Sequence, residues 1–357
     1  MNTDSAAHNL LGLTLNTGWY VTKKISKDDN STGAFFSVCY EVEKDGKRCF
    51  LKAFNFTPFF QLAEQSHSGK SVTDVIGDMI EAYKYERTLS EHCRQGHVTK
   101  VVYVIDSGEE ILKNFLINIV PYLIFELADG DIRHRLNFSN NLDVAWKLKS
   151  LHDIAVGLQQ LHNVNISHQD LKPSNILLFN KESKIGDLGR SMCKEIDSQY
   201  NKQAYSGDWT YAPPELMYGY YEKDWEKRVF ATDCYLLGSM VVFYFAGVSM
   251  SALMMKYIPE THRWEKWRGD FAEVKDYLLD AYSNALDEFE GCVSETGFKS
   301  DLKQIVEYLC FPLPEKRGHP KNSLNSGNKY NLERFVSKLD LLRSRAEYNF
   351  IHYGNRN

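Results

Sequence analysis

The sequence has no basic run and no surplus of positive charge. Lys and Arg number 42 against 47 Asp and Glu, a formal net charge of -5. Nucleic-acid binding needs clustered cations to neutralise phosphates, so that partner class is not expected. The seven cysteines, at 39, 49, 93, 193, 234, 292 and 310, are odd in number and form no Cys-x-x-Cys. Such spacing fits neither a disulfide framework nor a zinc site, and reduced thiols in a cytoplasmic protein are expected. Nothing near Met1 reads as a secretory signal. The longest apolar run, Leu236 to Val248, is too short to cross a bilayer and reads as a buried core helix, so no membrane partner is expected. No internal repeat is visible.

What remains is ordinary for a soluble globular protein: 357 residues, 43% hydrophobic and 25% charged. That length can bury one large core or two lobes.

Along the chain, residues 1–17 are mixed and polar and read as a loosely fixed leader. From Trp19 to Ile25 the residues alternate as in a strand, and Cys39 to Val42 continues the β pattern. The turn Asp45-Gly46 joins a third strand, Arg48 to Phe54. Lys52 lies mid-strand between apolar neighbours, either as an exposed edge residue or as a charge needed in a cleft. Residues 55–78 form a long connection, expected to hold an extra loop or short helix. Glu81 to Cys93 reads as a helix with Tyr83, Glu86 and Leu89 at three-residue steps. Val101 to Ile105 and Asn118 to Phe125 are β-rich and would complete a five-stranded sheet. Asp131 reads as a helix cap. Ala145 to His162 is amphipathic, with Leu148, Leu151, Ile154, Leu158 and Leu161 on one face. Residues 255–300 look helical. Leu332, Phe335, Leu339 and Leu342 give the tail a helical face that should pack back on the larger lobe.

One stretch carries the chemistry: Ser167-His168-Gln169-Asp170-Leu171-Lys172-Pro173-Ser174-Asn175, running into Ile176-Leu177-Leu178. An acid, a lysine and an amide lie within five residues of each other in a loop. That spacing suits phosphoryl transfer: a carboxylate for a hydroxyl proton, a cation near the moving phosphoryl, and an oxygen for Mg²⁺.

This stretch resembles the catalytic loop of eukaryotic-type protein kinases, with Gln169 in place of Arg. Gly33, Lys52, Glu86, Asp170, Asn175, Asp187, Glu215, Asp233 and Arg317 occur in the family's order over about 300 residues. Gly186-Asp187-Leu188-Gly189 is similar to D-F-G, and Gly207 to Glu215 is similar to the segment ending in A-P-E. The resemblance is to serine/threonine protein kinases, since Lys172 stands two residues past the acid. Glu215, Asp233 and Arg317 favour that family over small-molecule phosphotransferases of the same fold.

The resemblance implies an α+β, bilobal protein-kinase-like fold: a small, mostly antiparallel sheet lobe with one main helix, and a larger helical lobe. Its parts would be a leader at 1–18, an ATP-binding lobe at 19–125, a catalytic and substrate lobe at 126–325, and a helical extension at 326–357. It implies ATP as co-substrate, Mg²⁺ as cofactor, protein substrates, and autophosphorylation as an outcome. Asp170 would take the acceptor proton, and Lys172 would steady charge on the phosphoryl oxygens. Asn175 and Asp187 would hold the metal. Lys52, fixed by Glu86, with Glu81 and Glu91 as competitors, would align the phosphates. Gly33, Val38, Phe125, Glu126, Leu127, Ala128 and Leu177 would surround the nucleotide. His168, Glu215, Asp233 and Arg317 would brace the loops, with Arg317 bridging Glu215 in a buried bidentate pair.

Several residues depart from the family pattern. Ser31 and Phe36 replace two glycines of the phosphate loop. Phe50 replaces a small residue over the adenine, and Ser90 an apolar one. Asp208 stands where a threonine bonds the catalytic acid and lysine; pairing with Lys172, or a shifted role for Thr210, would compensate. Gln169 lacks the charge that binds an activation-segment phosphate, so activity independent of such phosphorylation is expected. The alternative is a nucleotide-binding pseudokinase that acts as a scaffold.

Overall fold

A computed structural model of the chain describes residues 5–25, 37–58, 71–137, 143–322 and 328–353. Gly33, Ser31 and Phe36 lie outside the described residues, as do residues 59–70 of the 55–78 connection. The chain divides into two compact units, residues 1–97 with 102–128 and residues 98–101 with 129–357.

The smaller unit is built on a five-stranded antiparallel sheet in the order β1-β2-β3-β5-β4. Its strands are β1 Tyr20–Ile25, β2 Ser37–Lys44, β3 Lys47–Phe54, β4 Asp106–Ile111 and β5 Ile119–Glu126. Asp45 and Gly46 both have positive φ (51° and 74°), which the tight hairpin between β2 and β3 requires. That turn sets Lys44 opposite Lys47 and, at the far end of β3, Ser37 opposite Phe54.

Two expectations fail here. The apolar run Val101–Ile105 is not the fourth strand; β4 is the polar stretch Asp106–Ile111. An edge strand pairs on one side only, so charged side chains are tolerated there and apolarity is a poor guide. The leader is also better fixed than its composition suggests. Ala6, Ala7, Leu10 and Leu15 are buried in the core beneath the sheet with Trp19, Val21 and Tyr40. Leu13 and Leu15 exchange backbone hydrogen bonds with Val21 and Trp19, so the segment flanks β1.

Helix α1, Val72–Gln95, starts nine residues before Glu81. Ser71 and Asp74 form a reciprocal capping box, satisfying the first amides of the helix and fixing its start within the long connection. Met79, Tyr83, Glu86, Leu89, Ser90 and Cys93 share its buried face.

In the larger unit the elements are β6 Gly130–Asp131, α2 Ile132–Asn137, α3 Val144–Asn163, β7 Ile166–Ser167, β8 Ile176–Phe179, β9 Glu182–Ile185 and β10 Met192–Cys193. Helices α4 Pro214–Met217, α5 Trp225–Ala246, α6 Met250–Met255, α7 Phe271–Cys292, α8 Lys299–Leu309 and α9 Glu333–Tyr353 follow. Asp131 does cap α2, accepting from His134 N at 3.0 Å. Helix α5 is the core. It is longer than the apolar run that announced it, and it is apolar and long enough to cross a membrane by composition alone. Within the unit 83% of its apolar window is buried, as in the central helix of a globular core. Asp224 caps its start, and Gly247, at φ 75°, ends it in the left-handed conformation. The tail helix α9 packs along α3, as its apolar spacing requires.

Candidate active site

In the smaller unit β3 carries Lys52 opposite Leu123 of β5 and Cys39 of β2. Its Nζ donates to both carboxylate oxygens of Glu86, at 3.0 and 2.9 Å. Lys52 is no exposed edge residue: its side chain is 19% exposed and that of Glu86 is 4%. Helical phase decides among the three glutamates. Glu86 sits on the buried face of α1, Glu81 is exposed, and Glu91 pairs with Arg94 and Gln95. Burying a lysine and a glutamate together is tolerable only because each neutralises the other.

Val38 is buried on β2 opposite Ala53. Phe50 faces Phe125 across β3 and β5, the ring centroids 6.4 Å apart. Glu126 ends β5, and Leu127 and Ala128 continue it as partly exposed, irregular chain. Ser90, where an apolar residue was the family's habit, accepts a hydrogen bond from Val104 N. The hydroxyl therefore satisfies a backbone amide in the connection to β4.

In the larger unit the catalytic-type loop hangs from a single carboxylate. Asp233 is fully buried at mid-helix in α5, so it is not a cap. It accepts from His162 Nε2 (2.8 Å), Ser167 Oγ (2.8 Å), His168 N (2.9 Å) and Gln169 N (2.9 Å). With four donors the charge is compensated without a cation, and the loop's backbone is pinned to the core helix. His168 Nε2 donates to Gly186 O at 3.0 Å, while Nδ1 accepts from Asp170 N at 3.3 Å, which places the ring proton on Nε2. Gln169 takes a positive φ of 64° and turns its amide inward, donating to Ser167 Oγ and Val229 O.

Asp170 is 4% exposed and held by three groups. Oδ1 accepts from Asp208 N at 2.8 Å; Oδ2 accepts from Asn175 Nδ2 at 3.1 Å and lies 3.3 Å from Lys172 Nζ. Asn175 Nδ2 also donates to Asp170 O at 2.8 Å, which commits the amide nitrogen and turns Oδ1 to the other side. Lys172 bridges Asp170 and Asp208, 3.1 Å from the latter. Thr210 is no shifted substitute: its N and Oγ1 both donate to Asp208 Oδ1. Half-burial opposes the charge on Asp208. The Thr210 hydroxyl and the Lys172 ammonium outweigh it, holding the carboxyl below its usual value. Gly207 is required here, because a Cβ would run into the carbonyl of Gln169.

Asp187 follows Gly186, whose N donates to Asn175 O at 2.8 Å. It is exposed, in the left-handed region at φ 59°, a conformation Asp tolerates better than most residues. Leu177 on β8 lies against Gly186. Glu215 and Arg317 form the expected bidentate bridge, both bonds 2.7 Å, with Arg317 fully buried. Arg317 also donates to Ala231 O and Phe311 O.

Sequence reading missed the Asp208 amide, the bond that Ser90 makes, His162, and two arginines, Arg190 and Arg228. Arg190 Nη1 donates to Ser206 O and Gly207 O, tying the segment before Asp208. The spacing of His162 from Ser167 at a helix end was a usable signal; a backbone amide leaves none.

A family model described as protein kinase domain matches residues 61–326. Over 230 residues the chain is 36% identical to "Inhibitor of nuclear factor kappa-B kinase subunit alpha" of Gallus gallus, covering 62% of this chain and 26% of that protein. It is 29% identical over 154 residues to "Mitogen-activated protein kinase 11" of Arabidopsis thaliana, covering 42% and 39%. The chain thus spans about a quarter of the first relative's length (26%). Glu86 and all the loop residues through Arg317 fall inside the matched range, while Val38 and Lys52 precede it. With a bracing carboxylate on its core helix, an acid-lysine-asparagine loop and most of its length inside the match, the chain belongs to the protein kinase domain family.

Proposed function

We propose that this chain transfers the γ-phosphoryl group of ATP to serine or threonine hydroxyls of proteins, its own included. The observation that carries the reading is the Asp170 carboxylate, held by Asp208 N, Asn175 Nδ2 and Lys172 Nζ. A carboxylate fixed in this way can accept a hydroxyl proton as the oxygen attacks phosphorus, with Lys172 beside it to offset charge on the phosphoryl oxygens. Lys52, aligned by Glu86, is suited to the α- and β-phosphates. Gly33, Val38, Phe125, Glu126, Leu127, Ala128 and Leu177 are assigned to the nucleotide. His168, Glu215, Asp233 and Arg317 are assigned to holding the loops.

Asn175 and Asp187 offer hard oxygen donors, which fit Mg²⁺ better than a softer metal. Bound there, the ion would neutralise phosphate charge and orient the phosphates. We also assign the protein to the reducing cytoplasm, since the seven cysteines form no disulfide with one another.

Activity without phosphorylation of the activation segment is part of the same proposal. Gln169 carries no charge for a phosphate; of the acceptors Ser191, Ser198, Tyr205 and Ser206, all but the partly exposed Ser198 are buried. Phosphatase treatment should leave activity intact; loss of activity with the fold preserved would refute this.

The Phe50–Phe125 pair favours a second reading, a scaffold that binds nucleotide without turnover. Labelled ATP and Mg²⁺ incubated with the protein and with Asp187→Ala separates the two. Label on the parent alone supports the enzyme. ATP-induced thermal stabilisation with no transfer in either supports the scaffold.

A further inference from the structure

Arg228 sits in the first turn of α5 and is 5% exposed. Three things work against a cation there. Burial removes its water. The N-terminal end of a helix carries partial positive charge and repels it. Among the described residues no carboxylate lies within ion-pair distance of it. A buried arginine in that setting is not explained by the helix it belongs to.

Its partners are neutral and come from two different loops. Nη1 donates to Glu222 O at 2.9 Å, and Nη2 donates to Asn201 O at 3.4 Å. The guanidinium carbon lies 4.8 Å over the Tyr221 ring, a cation-π contact that partly replaces the missing anion. Nε has no partner among the described residues. Asn201 is the knot of the activation segment: its Nδ2 donates to Cys193 O and Ile196 O, both at 3.1 Å. The next residue of α5, Val229, accepts from Gln169 through its carbonyl, and Asp233, further along the helix, pins the catalytic loop.

We propose that Arg228 is a positioning residue that fastens the activation segment to α5 through neutral carbonyls, so that the segment is ordered without a phosphate. Helix α5 then holds both loops, the activation segment from its first turn by a buried guanidinium and the catalytic loop from mid-helix by a buried carboxylate. The consequence for turnover rests on the proposed kinase activity; the fastening itself does not.

The test uses the full chain and hydrogen exchange, with steady-state kinetics beside it. Arg228→Met should speed amide exchange across 193–206 by about tenfold, the scale of one lost charged hydrogen-bond pair, while 236–244 in α5 stays protected. The KM for a protein acceptor should rise with the KM for ATP unchanged. Arg228→Lys, a point donor that cannot span two carbonyls, should restore little. Unchanged exchange at 193–206 in Arg228→Met overturns the proposal. So does a parent segment that becomes protected only when inorganic phosphate is added, because Arg228 would then be an anion socket. Should Arg228→Met unfold the unit, Arg228→Lys is read instead, with the same local rise expected and no rise counting against the proposal. A parent that transfers no phosphoryl group sinks the activity reading alone, since exchange still decides the fastening.

Discussion

The two units hold their charged groups in opposite ways. In the smaller one, Lys52 is aligned by Glu86, reached from another element by two hydrogen bonds, and its ammonium lies 5.7 Å over the Phe54 ring. In the larger one, Asp170, Lys172, Asn175 and Asp208 share one another's bonds, and Asp233 pins the loop beneath them by four more. The difference tracks similarity: the family match begins at residue 61, after β3, and takes in the whole of the larger unit's loop. A site aligned chiefly by an ion pair between two elements tolerates change around it, as Phe50 and Ser90 illustrate. A site carried by a network constrains many positions at once.

The sharpest break in this contrast is Asp170→Asn. Turnover should fall about 10²- to 10⁴-fold, the usual worth of a positioned general base, with ATP-induced stabilisation retained. Equal turnover would dismiss Asp170 as the base. Next is Arg317→Met, which leaves Glu215 buried and unpaired. Denaturant unfolding should show a loss of about 3–5 kcal/mol, much of it recovered when Glu215→Leu is added. Without that recovery, the cost lies in packing instead of the lone charge.

Lys52→Met tests the ion-pair side. Loss of its charged hydrogen bonds should weaken ATP by roughly tenfold or more, read as a smaller thermal shift on adding ATP, with the larger unit's stability unchanged. Ser90→Ala should cost about 1 kcal/mol by orphaning Val104 N. The smallest effect concerns acid. The folded carboxyl of Asp208 lies below its ordinary 3.8, so its contribution is complete above that pH and fades as pH falls through the lower folded value. Asp208→Asn should flatten that acid limb by under about 1 kcal/mol in a pH series of melting curves. An unchanged limb would mean that Asp208 is not stabilised as a charged group.

What could be read in advance was side-chain chemistry at fixed spacing. Lys52, Glu86, Asp170, Asn175, Glu215 and Arg317 were legible because few residues can do what their positions ask, and the structure pairs Lys52 with Glu86, Asp170 with Asn175, and Glu215 with Arg317. The amide that steadies Asp170 was not legible. It belongs to the backbone of Asp208, and any side chain there could present it. Strand β4 was missed because an edge strand need not be apolar, and the apolar run before it, Val101–Ile105, drew attention instead. The start of α1 was written in Ser71 and Asp74, yet the length of the preceding connection obscured it. Asp233 was legible as a brace of the loops, but its mid-helix setting was not, since the helix begins nine residues earlier, at Asp224.

The buried opening segment has a practical consequence for anyone shortening this protein. A version cut back to the first recognisable strand would lose Ala6, Ala7, Leu10 and Leu15 from beneath the sheet and strip the Tyr40 hydroxyl of its acceptor, Ala7 O. The trimmed product would expose the underside of β1 and β2 to solvent and invite clumping, so a tag belongs ahead of residue 5 and a deletion does not.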